Sequence, residues 1–201
     1  MTAPGLRRFL AGNRPARPAP GERCEFCAEP VPEPHRHVAD LSAHTIACAC
    51  QGCHLLFTAD GAGGGRYKAI PDRYRYLPDF AVAWDDLAVP VDLVFVFRNA
   101  AQDRYVACYP SPAGATESLL PDGTWAEALA ANPVAADLEP DVEAVLLRRT
   151  GNRVTGFLVP IDACYDLVGR VRTHWRGFDG GEPLWRELDG FFAGLVARAR
   201  G

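Results

Sequence analysis

Two Cys-x-x-C pairs, Cys24/Cys27 and Cys50/Cys53, constrain this chain more than any other feature. Two residues between cysteines let a tight turn aim both sulfurs at one point. The turn's N–H groups can then hydrogen-bond the thiolates. Two such knuckles supply the four soft ligands of a tetrahedral metal site. The pairs are separated by 22 residues, slightly more than the usual ribbon range, so the hairpin between them must be extended. Gly52 is expected to ease the second turn. Zinc is the expected ion. An iron–sulfur cluster is the alternative that the same four cysteines satisfy, and unligated or redox thiols are the third reading. A closed sulfur shell leaves no position for water or substrate, which points to a structural metal and away from catalysis.

Five of the seven cysteines fall between positions 24 and 53. A secreted disulfide framework would spread them, and the first twenty residues hold no continuous apolar run that would serve as a secretory signal. Reduced thiols in a cytoplasmic protein are therefore expected. Cys48 needs separate treatment. Strand alternation puts Ile46, Cys48 and Cys50 on one side, which makes Cys48 a spare or exchanged ligand, or a small buried filler. Filler is the favoured reading. His35-Arg36-His37 is an H-x-H pair that can replace a cysteine, bind a second metal, or act as a polar loop that donates to the thiolates. The loop-and-donor reading is favoured. His54 should point away from a site that holds Cys53. Cys108 and Cys164 lie in apolar stripes and are expected in the core.

The fold class is α+β. A small N-terminal four-cysteine, zinc-ribbon-like module is followed by a mostly antiparallel sheet with helices packed on one face. Residues 1–21 read as a disordered basic tail, 22–60 as the metal-binding module, 61–80 as a linker or connecting segment, and 81–201 as the α+β domain. Val91–Phe97, Arg104–Tyr109, Val142–Arg148 and Arg153–Val159 are strand candidates, with turns at Asn99–Asp103 and Gly151-Asn152. Pro110–Glu117 reads as a loop. Thr124-Trp-Ala-Glu127 has the capping-box pattern, and its helix should stop near Asn132-Pro133. Asp162 can cap a helix with the stripe Cys164, Leu167, Val168, Val171 and Trp175. A last helix starts near Pro183 and carries Leu184, Trp185, Leu188, Phe191, Phe192, Leu195 and Val196.

Other chemistries find little support. No G-x-S-x-G, Walker or zinc-hydrolase motif is present, so no catalytic residues are assigned and no enzyme is expected. A net charge of -4 gives no general pull toward nucleic acid or anionic membranes. Arg66-Tyr-Lys68 and Arg73-Tyr-Arg-Tyr76 interleave cations with aromatics, as single-strand binders do. The favoured reading is a solvated segment that packs its tyrosines, with a zinc-containing nucleic-acid binder kept as an alternative function. No apolar run near 18 residues suggests a membrane span. Ser111, Glu117, Trp175 and Arg176 mark two loops that are candidates for an interaction surface.

The wording CEFC, HRH, CACQGCHLLF, YPSPAGATESLL and LVPIDACYDLVGRVRTHWRG, followed by a final aromatic helix, resembles an uncharacterised bacterial family, mainly actinobacterial, encoded near nickel–iron hydrogenase genes. The resemblance covers roughly residues 22 to 198. It implies a cytoplasmic accessory role in assembling or maturing a hydrogenase, with a hydrogenase component as the protein partner. From the residues themselves the expectation is a non-enzymatic zinc-binding protein with a protein partner. The rival is an iron–sulfur electron carrier that serves a redox enzyme.

Overall fold

The 22 residues between the cysteine pairs form the expected hairpin, β1 (Arg36–Asp40) and β2 (Thr45–Ala49), which pair antiparallel from Arg36↔Ala49 to Asp40↔Thr45. The computed structural model describes residues 22–121, 123–177 and 180–200. The basic tail expected over 1–21 lies outside them. A short strand, β3 (Tyr67–Ala69), adds to the free side of β1 and completes a three-stranded sheet in the order β2-β1-β3. Asp40 closes the β1–β2 turn. One of its oxygens accepts from Ser42 and from the Ala43 N–H, and the other takes the Arg66 guanidinium, with Nη2 at 2.6 Å.

A six-stranded sheet follows, in the order β4-β9-β8-β5-β6-β7, and every neighbour pair is antiparallel. Its strands are β4 (Arg75–Leu77), β5 (Leu93–Asn99), β6 (Arg104–Ser111), β7 (Gly114–Ser118), β8 (Glu143–Thr150) and β9 (Arg153–Pro160). The 61–80 segment thus gives β3 to the small sheet and β4 to the large one. β5, β8 and β9 are apolar on both sides because both faces are covered. Phe95, Leu146, Phe157 and Val159 face the two long helices, α4 (Ile161–His174) and α5 (Gly181–Arg200). Val94, Val96, Val145 and Leu158 face the other way. They meet Trp84 and Leu87 of a 3-10 turn, α2 (Thr124–Ala131) and α3 (Pro133–Ala136). β9 passes close under Phe80. A Cβ on Gly156 would lie 2.7 Å from that ring, so only glycine fits without a shift.

Four local expectations need correction. Pro110–Glu117 is not a loop but the tight β6–β7 hairpin, closed by Ser111 Oγ, which donates to the Gly114 carbonyl at 2.9 Å. α2 begins one residue earlier than the capping box requires, with Thr124 already inside the helix. Gly123, in a left-handed conformation (φ 87°), precedes it, and no side chain caps it. Asp162 does not cap α4, because Pro160 occupies that position and Asp162 sits inside the first turn. Trp185 is 48% exposed, since the inward line of α5 runs through Leu184, Leu188, Phe192 and Leu195.

The small sheet shares the main core. Ala39 and Ile70 are buried in the same cluster as α4 and α5, with Ile46 and Leu41 packed against it. Polar ties supplement this contact. Lys68 Nζ lies 3.0 Å from Glu139, and the Arg73 guanidinium grips the fully buried Glu143 at the start of β8. The cations of the arginine–tyrosine segment are therefore engaged within the molecule at Arg66, Lys68 and Arg73. The tyrosines pack as well, Tyr67 on Phe26 and Phe57 and Tyr76 on Phe157.

Candidate metal centre

Each knuckle is built by its own backbone. In the first, the Cys24 N–H donates to Glu29 O and the Ala28 N–H donates to Cys24 O, both at 2.8 Å, so residues 24–28 form a closed turn. Glu25 fastens this turn to β2. Its N–H donates to Cys48 O at 2.9 Å, and its carboxylate accepts the Cys48 N–H at 2.8 Å. In the second, Cys50 is the N-cap of the short helix α1 (Gln51–Leu55), and its sulfur accepts the Cys53 N–H at 3.4 Å. Gly52 therefore sits inside a helical turn and needs no positive φ, contrary to the role expected of it. Phe26, Phe57 and Tyr67 pack in tilted and edge-on contacts, with centroids 4.9 to 5.4 Å apart, and clamp the first knuckle to the end of α1 and to β3. Gly63 fits against this trio with φ 60°, where a Cβ would meet Tyr67 at 3.1 Å.

The result is convergence. The four sulfurs of Cys24, Cys27, Cys50 and Cys53 all lie within 4.8 Å of one another, and Cys27 and Cys50 are 3.7 Å apart. Such a set could hold a metal ion. Its electrostatics agree with that. Burial pushes the Cys24 thiol up, but the backbone N–H groups of Cys50, Cys27 and Phe26 outweigh burial and draw it down to about 6. Burial, and then hydrogen bonds shared with the other three cysteines, pushes Cys53 up to about 12. One thiolate is welcome in this pocket. Four need a cation among them.

The remaining candidates lie elsewhere. Cys48, His35 and His37 form a second group, with one donor atom from each within 4.8 Å of the others, and the group shares no member with the four cysteines. His37 stands directly across from Cys48 in the β1–β2 register. Its Nδ1 donates to Asp162 on α4 at 2.7 Å. The sequence marks Asp162 only as a helix cap, because a contact spanning 125 residues leaves no local signal. His54 turns away from the cysteines, is buried, and donates from Nε2 to the Ile70 carbonyl at 3.0 Å. Cys108 and Cys164 are buried in the main core. Glu117 pairs with Arg104 on the β6–β7 hairpin near Ser111, while Trp175 and Arg176 bond to backbone carbonyls between α4 and α5. The described structure does not gather these last four into one site. No helix among the described residues is long and apolar enough to cross a membrane.

A family model described as a family of unknown function (DUF5947) matches residues 23–199. No curated protein and no solved structure matches the chain.

Proposed function

The chain belongs to the DUF5947 family, whose function is unknown, so we propose from the site alone that it is a non-enzymatic metal-binding protein whose four cysteines hold one structural zinc ion. The observation that carries this reading is the sulfur spacing. A zinc–thiolate bond of about 2.3 Å puts tetrahedral ligands roughly 3.8 Å apart. Cys27 and Cys50 stand at 3.7 Å, and all four sulfurs fall within 4.8 Å. An iron–sulfur cluster inserts metal and bridging sulfide between its thiolates and holds them farther apart. The spacing therefore favours a single ion over a cluster.

A structural role follows from the strand lengths. The small sheet has strands of five, five and three residues. Little apolar surface is available to them alone, and metal binding energy is folding energy for such a segment. The work of the protein then falls to a surface that the metal holds in shape and that a protein partner recognises. The partnership with a nickel–iron hydrogenase component rests on the sequence resemblance alone, and a pull-down with such a component tests it.

The site is tested by metal analysis of protein purified without oxygen, together with its visible spectrum. Colourless, zinc-loaded protein is expected. A brown protein with iron and labile sulfide would overturn this reading in favour of the electron carrier.

A further inference from the structure

We propose that His35, His37 and Cys48 form a second metal site, distinct from the four cysteines, that binds zinc(II) and keeps a coordination position open to the neighbouring groove. The donor set is the first argument. Two imidazole nitrogens and a thiolate suit a borderline divalent transition ion and not a hard cation such as calcium. A tetrahedral ion with nitrogen at about 2.0 Å and sulfur at about 2.3 Å holds two nitrogens and a sulfur roughly 3.3 to 3.5 Å apart. The three donors here lie within 4.8 Å of one another, so small side-chain movements close the shell.

Hydrogen bonding prepares both rings in the same sense. His35 Nδ1 donates to the Pro32 carbonyl at 3.2 Å, with Glu22 beside it at 3.4 Å. His37 Nδ1 donates to Asp162 at 2.7 Å. With Nδ1 of each ring engaged in this way, Nε2 is the nitrogen left to ligate a metal. A histidine that ligates a metal ordinarily donates its other nitrogen to a carboxylate or a carbonyl, which fixes tautomer and ring direction. Here one ring has the carboxylate and the other the carbonyl.

The independent sign of a missing ligand is His35 Nε2. It is buried and has no hydrogen-bond partner, in a side chain only 8% exposed. Buried polar atoms are rarely left this way, and an ion between the two rings would supply the partner. The rings are already 4.7 Å apart, centroid to centroid. Glu22, Glu25 and Asp162 surround the site with negative charge, which favours a cation there.

Three ligands leave a fourth position. His35 and His37 line a groove of about 1550 Å³ that runs between the small sheet and helices α4 and α5. Water or a donor atom of a small molecule can reach the ion from that side. This is the layout of a zinc site with an open position, in contrast to the closed shell of the four cysteines.

The test counts metal in full-length protein equilibrated with excess zinc(II) and desalted. Wild type should retain two equivalents. The His35→Ala/Cys48→Ala variant should retain one, and Cys27→Ser should lose the other. Asp162→Asn, a change in a positioning residue, should weaken only the second equivalent, by roughly 10- to 100-fold in a chelator competition. This last arm and the wild-type count also decide the matter if the double variant fails to fold. A wild type that retains one equivalent, lost in Cys27→Ser, overturns the proposal. So do two equivalents in the folded double variant. One equivalent lost in the double variant but kept in Cys27→Ser would leave this site standing and remove the four-cysteine reading instead.

Discussion

Replacing Cys24 with serine is expected to release the structural metal and unfold the small sheet. Cys24 is 2% exposed, and the backbone N–H groups of Cys50, Cys27 and Phe26 draw its thiol down against burial. A hydroxyl is a poor zinc ligand and reaches less far, so one of the four bonds is lost. Structural zinc contributes on the order of 10 kcal/mol in small zinc modules, far more than strands of five, five and three residues can replace. Hydrogen exchange by mass spectrometry is the direct readout. Amides between about 22 and 70 should lose protection in the variant, and a chelator should reproduce that pattern on wild type. β5, β8 and β9 should stay protected, because Phe95, Leu146 and Leu158 are packed between helices on both faces. Cys164→Ser is the control. It places a hydroxyl in an apolar core at a cost of about 1–3 kcal/mol and should leave the metal in place. A Cys24→Ser protein with native exchange and full metal content would contradict the account.

The second large effect lies away from the metal. Glu143 is fully buried, and its carboxylate receives Arg73 Nε at 2.8 Å, Arg73 Nη2, and the Glu139 N–H at 2.8 Å. Arg73 also donates to the Asp137 carbonyl at 2.6 Å. The pair fastens the segment that links the two sheets to the start of β8. Arg73→Met removes one charge and leaves the other in the interior, which costs roughly 3–5 kcal/mol. For a chain of this size that lowers the melting temperature by roughly 10 °C. Arg73→Met combined with Glu143→Leu removes both charges and should recover much of the loss. Thermal and urea unfolding of the single and double variants measure it. A single variant within 1 kcal/mol of wild type would show that water, and not Arg73, solvates Glu143.

Parts of this architecture were legible in the sequence for physical reasons. The knuckles could be read because two-residue spacing is a local constraint. β5, β8 and β9 could be read because a strand buried on both faces is apolar throughout, and Gly151 marked their turn with the positive φ it adopts. The β6–β7 hairpin was missed because Pro110, Ser111, Pro112 and Gly114 carry the chemistry of a loop, and strand pairing overrode it. The opposite face of the large sheet was missed for another reason. Trp84, Leu87 and Trp125 come from short helical pieces with too few residues to show a period. At the metal sites the ligand residues were visible, but their partition was not. Cys48 sits two residues from Cys50 and reads as a small buried filler before a spare ligand, yet it is only half-buried. The register places it opposite His37 instead. Asp162, which completes that arrangement, is 125 residues away from His37.

The proposed centre holds one ion inside the four thiolates of Cys24, Cys27, Cys50 and Cys53. X-ray absorption at the zinc edge, on the His35→Ala/Cys48→Ala protein that keeps only this site, tests it most directly. One zinc per chain with a single shell of four sulfurs at about 2.3 Å is expected. Nitrogen or oxygen in that shell, a metal–metal vector, or folded protein without metal would contradict it.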